Sequence, residues 1–247
     1  MLQLIFLGLI AAIAEILGGT FIILREKWPK KIQEYLLALS AGFLLALAFF
    51  ELIPESISIM GSSAPIYIVI GFGLIHFVEH TIVGHLHFGE EVHSDVMLSP
   101  IASLSAFLGL AMHAFFDGFA ISAGISYDYT LGMLIFIAIL LHKFPEGLTI
   151  ASIMIAAKQT RKTAFLASVS IGIATLIGII TAFYISQINP YTTGIALGIT
   201  AGTSTYVGAS DLIPEINRSE NRITPLVVFG GMILFYVSKQ FIHLILE

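Results

Sequence analysis

His113-Ala-Phe-Phe-Asp117-Gly118 and His142-Lys143-Phe-Pro145-Glu146-Gly147 are two copies of one phrase, His-x-x-x-acid-Gly, and each is embedded in apolar sequence. On a helix, residues four apart lie on one face a turn apart, so each copy aims an imidazole and a carboxylate at the same point. Two such helices facing each other offer up to four ligands to one metal ion. The surrounding apolar runs make the ionisable groups costly to hold, which marks them as a functional site.

Working outward, the whole chain has the same character. Of its 247 residues, 57% are hydrophobic and only 11% charged. Soluble domains carry about 25% charged residues, so the balance points to a polytopic membrane protein. The net charge of −5 says little by itself, because in a membrane protein what matters is which loops carry the Lys and Arg, and no nucleic-acid partner is expected. With no cysteine in the chain, disulfides and thiolate sites are excluded, and a metal site must be built from His and carboxylates. The run from Leu2 to Leu24 lacks a basic leader and is long enough to span, so it is expected to be a retained first helix.

Crossing the hydrocarbon takes about 20 apolar residues. Eight segments qualify, bounded near 2–24, 34–55, 64–84, 99–126, 130–157, 163–186, 191–214 and 223–246, within a single transmembrane domain of residues 1–247. The connections after the first, fifth and seventh hold Arg25, Lys27, Lys30, Lys31, Lys158, Arg161, Lys162, Arg218 and Arg222, nine of the eleven Lys and Arg. Positive charge favours the cytoplasm, so both termini are expected on the other side.

A second echo pairs Glu51-Leu-Ile-Pro54-Glu55, at the end of the second segment, with Asp211-Leu-Ile-Pro214-Glu215, at the end of the seventh. The two segments run in opposite directions. An inverted-topology repeat predicts that arrangement, with helices 1–3 and 6–8 as its copies around a central pair, 4 and 5. The expected fold is therefore all-α and integral to the membrane, eight helices in a 3+2+3 arrangement. Pro145 removes the donor to the carbonyl of Leu141 and supplies an interruption beside His142. Gly18, Gly19, Gly42, Gly118, Gly147, Gly198 and Gly202 suit close helix packing.

Over essentially its whole length the chain resembles the ZIP (Zrt-, Irt-like protein) family of divalent-metal transporters. Members typically carry His-Asn-x-x-(Glu/Asp)-Gly on helix four and His-x-x-Pro-Glu-Gly on helix five; the second phrase is matched closely at His142–Gly147, the first more loosely at His113–Gly118. The resemblance implies uptake of zinc or a related ion into the cytoplasm through a site between helices four and five, His113, Asp117, His142 and Glu146. His and carboxylate ligands also suit iron, manganese, cobalt and cadmium. The resemblance further implies that some members hold two ions side by side, helped by an Asn or Asp after each first His. Here those positions are Ala114, with no ligand atom, and Lys143, whose ammonium would fill the space of the second ion. One metal per site is the expectation, with Lys143 a fixed counter-charge for Asp117 and Glu146.

Other acidic and imidazole groups extend the route. Glu51 and Glu55 would draw cations to the outer mouth and Asp211 and Glu215 to the inner one, with helix capping as the plain alternative. Glu15, within the first helix, either lines the pathway or serves packing. His76 and His80, and His85, His87 and His93 in the acidic connection 85–98, are cytoplasmic metal-binding candidates. The chain is read as a transporter and not an enzyme, needing no catalytic cofactor; its partners are the divalent ion and the lipid bilayer, and a homodimer is compatible with it. The cytoplasmic membrane of a prokaryote is the expected location. The rival readings are an integral-membrane metal-dependent hydrolase using the same residues, with Asp117 or Glu146 as base, and a nontransporting metal sensor.

Overall fold

Apolar runs of this length in lipid must satisfy their backbone groups internally, which leaves helices and closed barrels. The computed structural model describes residues 1–24, 30–82, 100–186, 190–217 and 221–246, and among them there are helices and no strands. In order these are α1 (Leu2–Leu24), α2 (Lys30–Leu47), α3 (Ile53–Met60), α4 (Ala64–Phe77), α5 (Pro100–Tyr127), α6 (Tyr129–Ala156), α7 (Arg161–Ser186), α8 (Pro190–Tyr206), α9 (Ile213–Asn217) and α10 (Thr224–Leu246). Six described helical stretches are long and apolar enough to cross a membrane: Leu2–Leu24, Leu37–Phe77, Ala106–Tyr127, Tyr129–Ile155, Arg161–Ile185 and Thr224–Phe241. The chain is a multi-pass membrane protein. Its outer surface agrees, with Leu2, Phe6, Val69, Leu226 and Phe229 exposed.

The elements meet as follows. α1 packs on α6 and α7, α5 packs on α6 and α7, α2 lies against α10, and α4 lies against α8. Glycine sets the closest of these approaches. A Cβ on Gly118 would stand 1.9 Å from the Thr175 carbonyl oxygen, and one on Gly178 1.9 Å from that of Phe115, which locks α5 to α7. Gly147 on Glu15 and Gly18 on Phe144 do the same for α6 and α1, at 1.9 and 2.1 Å. Gly42 and Gly231 join α2 to α10, and Gly71 and Gly202 join α4 to α8. Lipid tails are as apolar as leucine, so close backbone contact of this kind is a main source of helix association in a bilayer.

Several boundaries differ from the sequence expectation. The Glu51-Leu-Ile-Pro54-Glu55 echo does not end its helix. A π-turn at Ala48–Leu52 leads straight into α3, which runs on to Met60 and stops at Gly61, whose φ of 59° suits glycine. The other echo repeats this: a π-turn at Val207–Leu212 precedes α9, so Pro214 likewise falls in the first turn after a π-turn. Pro54 leaves the carbonyl of Phe50, four residues back, without its usual α-helical amide donor, and Lys239 Nζ donates to it instead. Conversely, α6 continues through Pro145 without a break, so the expected interruption is limited to one absent donor. The departures from α-geometry include three π-turns among the described residues, which hold Glu51, His80 and Asp211.

Candidate metal centre

α5 and α6 form a hairpin joined by Asp128 alone. In extended conformation, with φ −148° and ψ 130°, Asp128 accepts a hydrogen bond from the Leu131 amide at 2.8 Å and so caps α6. Below this cap the two helices close on Gly124 and Gly132, where a Cβ on Gly132 would lie 2.3 Å from the Ile125 nitrogen. The antiparallel course brings the two His-x-x-x-acid faces together mid-way along both helices.

One ligand atom from each of His113, Asp117, His142 and Glu146 lies within 4.8 Å of the others, and all four residues are buried. Asp117 Oδ2 is the hub, 3.1 Å from His142 Nε2 and 3.4 Å from His113 Nε2. The two imidazole rings are 5.7 Å apart between centroids. Both ring nitrogens of His113, Oδ1 of Asp117 and Oε1 of Glu146 are buried with no hydrogen-bond partner among the described residues. Buried polar atoms normally find partners. Imidazole and carboxylate atoms left this way around one point are the donor set that a divalent transition metal satisfies.

Apolar clusters lie toward both ends of the centre, and on one side Leu44, Leu110, Val207 and Leu212 with Ser40 and Thr149 line a cavity of about 20 Å³ that reaches His113, His142 and Glu146. Leu47, Leu52, Ile121, Ile135, Ile139 and Leu197 belong to one core cluster, and Leu44, Leu110, Leu148, Ile150, Ile171 and Val207 to a second. The ligand residues fall between them along both α5 and α6.

Lys143, the expected counter-charge, is fully buried, its Nζ 3.0 Å from Asp117 Oδ2 and hydrogen-bonded to Glu146 Oε2. It also has a partner that the expectation lacked. Glu15 of α1, likewise fully buried, places Oε2 3.4 Å from the same ammonium. Glu15 thus faces the centre, and a third carboxylate adjoins the four ligands.

The remaining candidates are dispersed. Glu51 pairs with Lys239 of α10, whose Nζ also donates to the Phe50 carbonyl at 3.3 Å. Together with Glu55, Tyr127 and Asp128 they line an open cavity of about 750 Å³ at the hairpin end of the molecule. Asp211 is half-buried in its π-turn, and the side chain of Glu215 lies outside the described residues. His76 and His80 stack at 4.3 Å near Tyr206, whose ring is 5.9 Å from that of His76. His85, His87 and His93 lie outside the described residues, as does the whole 85–98 connection.

A multi-pass helical protein with a His and carboxylate centre in its middle is the class that fold and site define together. A family model described as ZIP Zinc transporter matches residues 84–239. The chain is 27% identical over 228 residues to "Zinc transporter ZupT" of Shigella flexneri serotype 5b, covering 88% of this chain and 89% of that one. The ZupT of Escherichia coli O7:K1 matches to the same extent, and "Zinc transporter ZIP9" of Micropogonias undulatus is 30% identical over 159 residues, 60% of this chain and 50% of its own. The chain belongs to the ZIP family.

Proposed function

We propose that this protein carries a divalent transition-metal ion across the membrane into the cytoplasm, zinc before iron, manganese, cobalt or cadmium, through one site made of His113, Asp117, His142 and Glu146. The observation that carries the reading is the convergence of four ligand atoms within 4.8 Å in a buried, apolar-walled position. The relatives named as zinc transporters support zinc as the ion. A transported ion must bind firmly enough to shed water and loosely enough to leave. It is cargo here, not a catalyst's cofactor.

The architecture proposed for this task is one transmembrane domain, residues 1–247, with eight crossings. α2 and α3 form the second crossing, α4 the third, and α8 with α9 the seventh; a stretch as long as Leu37–Phe77, 41 residues, would be about 60 Å as one helix, twice the hydrocarbon thickness. An inverted 3+2+3 repeat is supported by the packing: exchanging helices 1, 2, 3 and 4 with 6, 7, 8 and 5 turns the α5/α7 contact into α6/α1 and the α2/α10 contact into α8/α4. The glycines follow the same exchange, Gly118 and Gly178 becoming Gly147 and Gly18. The distribution of Lys and Arg supports termini outside the cytoplasm.

The hydrolase reading gains no support. It requires Asp117 or Glu146 as a base, and Lys143 engages both. The relatives' names agree with a chain that is not an enzyme. Purified protein in proteoliposomes tests the reading directly. Wild type should accumulate zinc or cadmium down a gradient, and His113→Ala and Glu146→Ala should abolish uptake; absence of flux for all the metals named above would refute it.

A further inference from the structure

Lys143 sits on one oxygen of each carboxylate that a metal ion would need. Its ammonium holds Asp117 Oδ2 at 3.0 Å and bonds Glu146 Oε2, so Oδ1 and Oε1 are the oxygens left without a hydrogen-bond partner among the described residues. Three groups, the imidazoles of His113 and His142 and the Lys143 ammonium, already converge on Asp117 Oδ2, so an arriving cation competes with a tethered one. The third carboxylate next to Lys143 is Glu15, which ligates nothing in the four-residue set. It is fully buried, and neither of its oxygens has a hydrogen-bond partner among the described residues, although Oε2 is only 3.4 Å from Nζ. Acceptor capacity is therefore in reserve on the α1 side of Lys143, within 3.4 Å of Nζ.

The other half of the molecule shows that Lys143 and Glu15 are a matched pair. In the two phrases Ala114 follows His113 where Lys143 follows His142. Gly118 packs its α-carbon against the carbonyl of Thr175, and Gly147 packs against that of Glu15, both with a 1.9 Å approach for an added Cβ. Thr175 is thus the counterpart of Glu15, just as Ala114 is of Lys143. One half of the centre has an uncharged pair, Ala114 and Thr175, both fully buried; the other half has an ammonium and a carboxylate at the same two positions. The backbone crossing at Gly147 and Gly18 fixes where the Glu15 side chain starts, so its distance from Lys143 does not depend on a mobile loop.

We propose that Glu15 is a positioning residue that receives the Lys143 ammonium when a divalent ion takes Asp117 and Glu146, and returns it to them when the ion leaves. The inference rests on the metal-site reading above. Lys143 then acts as an internal competitor that keeps affinity low enough for release, and Glu15 decides how much that competitor costs binding. Without Glu15 the ammonium stays stranded on the ligand oxygens. Without Lys143 there is nothing for Glu15 to receive.

Cadmium titration calorimetry on the full-length protein in detergent separates the outcomes. Lys143→Ala should tighten cadmium binding and Glu15→Thr should weaken it, each by about tenfold or more in Kd. In the Lys143→Ala background, where Glu15→Thr recreates the Ala114/Thr175 pair of the other half, the second change should alter Kd by less than about threefold, because interacting residues are non-additive. An equal weakening by Glu15→Thr in both backgrounds would overturn the handover and leave the metal site standing. Loss of the site reading itself would look different: no cadmium bound by wild type, or binding unaffected by His113→Ala. Should Glu15→Thr fail to fold alone, a cadmium-loaded structure of wild type decides the matter. Nζ bonded to Glu15 and withdrawn from Asp117 and Glu146 supports the handover, and Nζ still on Glu146 overturns it.

Discussion

Ala114 and Lys143 bear on how many ions the centre accommodates. Ala114 is fully buried and offers no ligand atom, while the Lys143 ammonium lies among Asp117, Glu146 and Glu15, where a neighbouring ion would need to sit. One cadmium or zinc per chain is therefore expected between α5 and α6, read as metal content after desalting. Lys143→Asn with Ala114→Asn should raise the count to two, and two ions in wild type would contradict this account. The pairing of His113 with Asp117 and of His142 with Glu146 was legible in the sequence because helical periodicity alone brings positions four apart onto one face. Glu15 was not assignable, because its partner lies on another helix and no local period links them. A trace of the relation is visible afterwards: Glu15-Ile-Leu-Gly18 parallels Thr175-Leu-Ile-Gly178, a centre-facing residue three before the glycine that crosses the neighbouring helix. Lys239 as the partner of Glu51 was equally out of reach, for the same reason.

At the level of elements, the glycine crossings and the hairpin cap give sharp expectations. Gly118→Ala puts a methyl into the Thr175 carbonyl and should cost about 1–3 kcal/mol, as overpacking does. Gly73→Ala, with open space around the new Cβ, should be neutral or stabilising by up to about 1 kcal/mol through helix propensity. Thermal unfolding of both variants in one detergent checks the contrast. Asp128→Ala removes the side chain that caps α6 at Leu131 and should cost about 1 kcal/mol in the same measurement. Helix existence was readable from apolar run length, and Gly18, Gly42, Gly118, Gly147 and Gly202 do lie at close approaches. The π-turns were not readable. Pro54 and Pro214 suggested terminations, because sequence shows the lost donor but not that a preceding π-turn lets the helix resume.

The whole molecule has two faces, and the absence of cysteine makes them easy to tell apart. Ser62→Cys, in the exposed turn after Met60, should react with a membrane-impermeant maleimide on intact cells. Thr160→Cys, in the basic connection before α7, should react only after lysis. The reverse pattern would invert the transport direction proposed here. Electrically, the buried cluster has a consequence of its own. With Asp117 and Glu146 ionised beside the Lys143 ammonium, the empty centre has one more negative charge than positive, and one divalent ion turns that into one more positive. The membrane voltage, worth about 2.3 kcal/mol per elementary charge per 100 mV, then acts on both states in opposite senses. A negative interior should therefore speed the loaded centre inward and the empty one back.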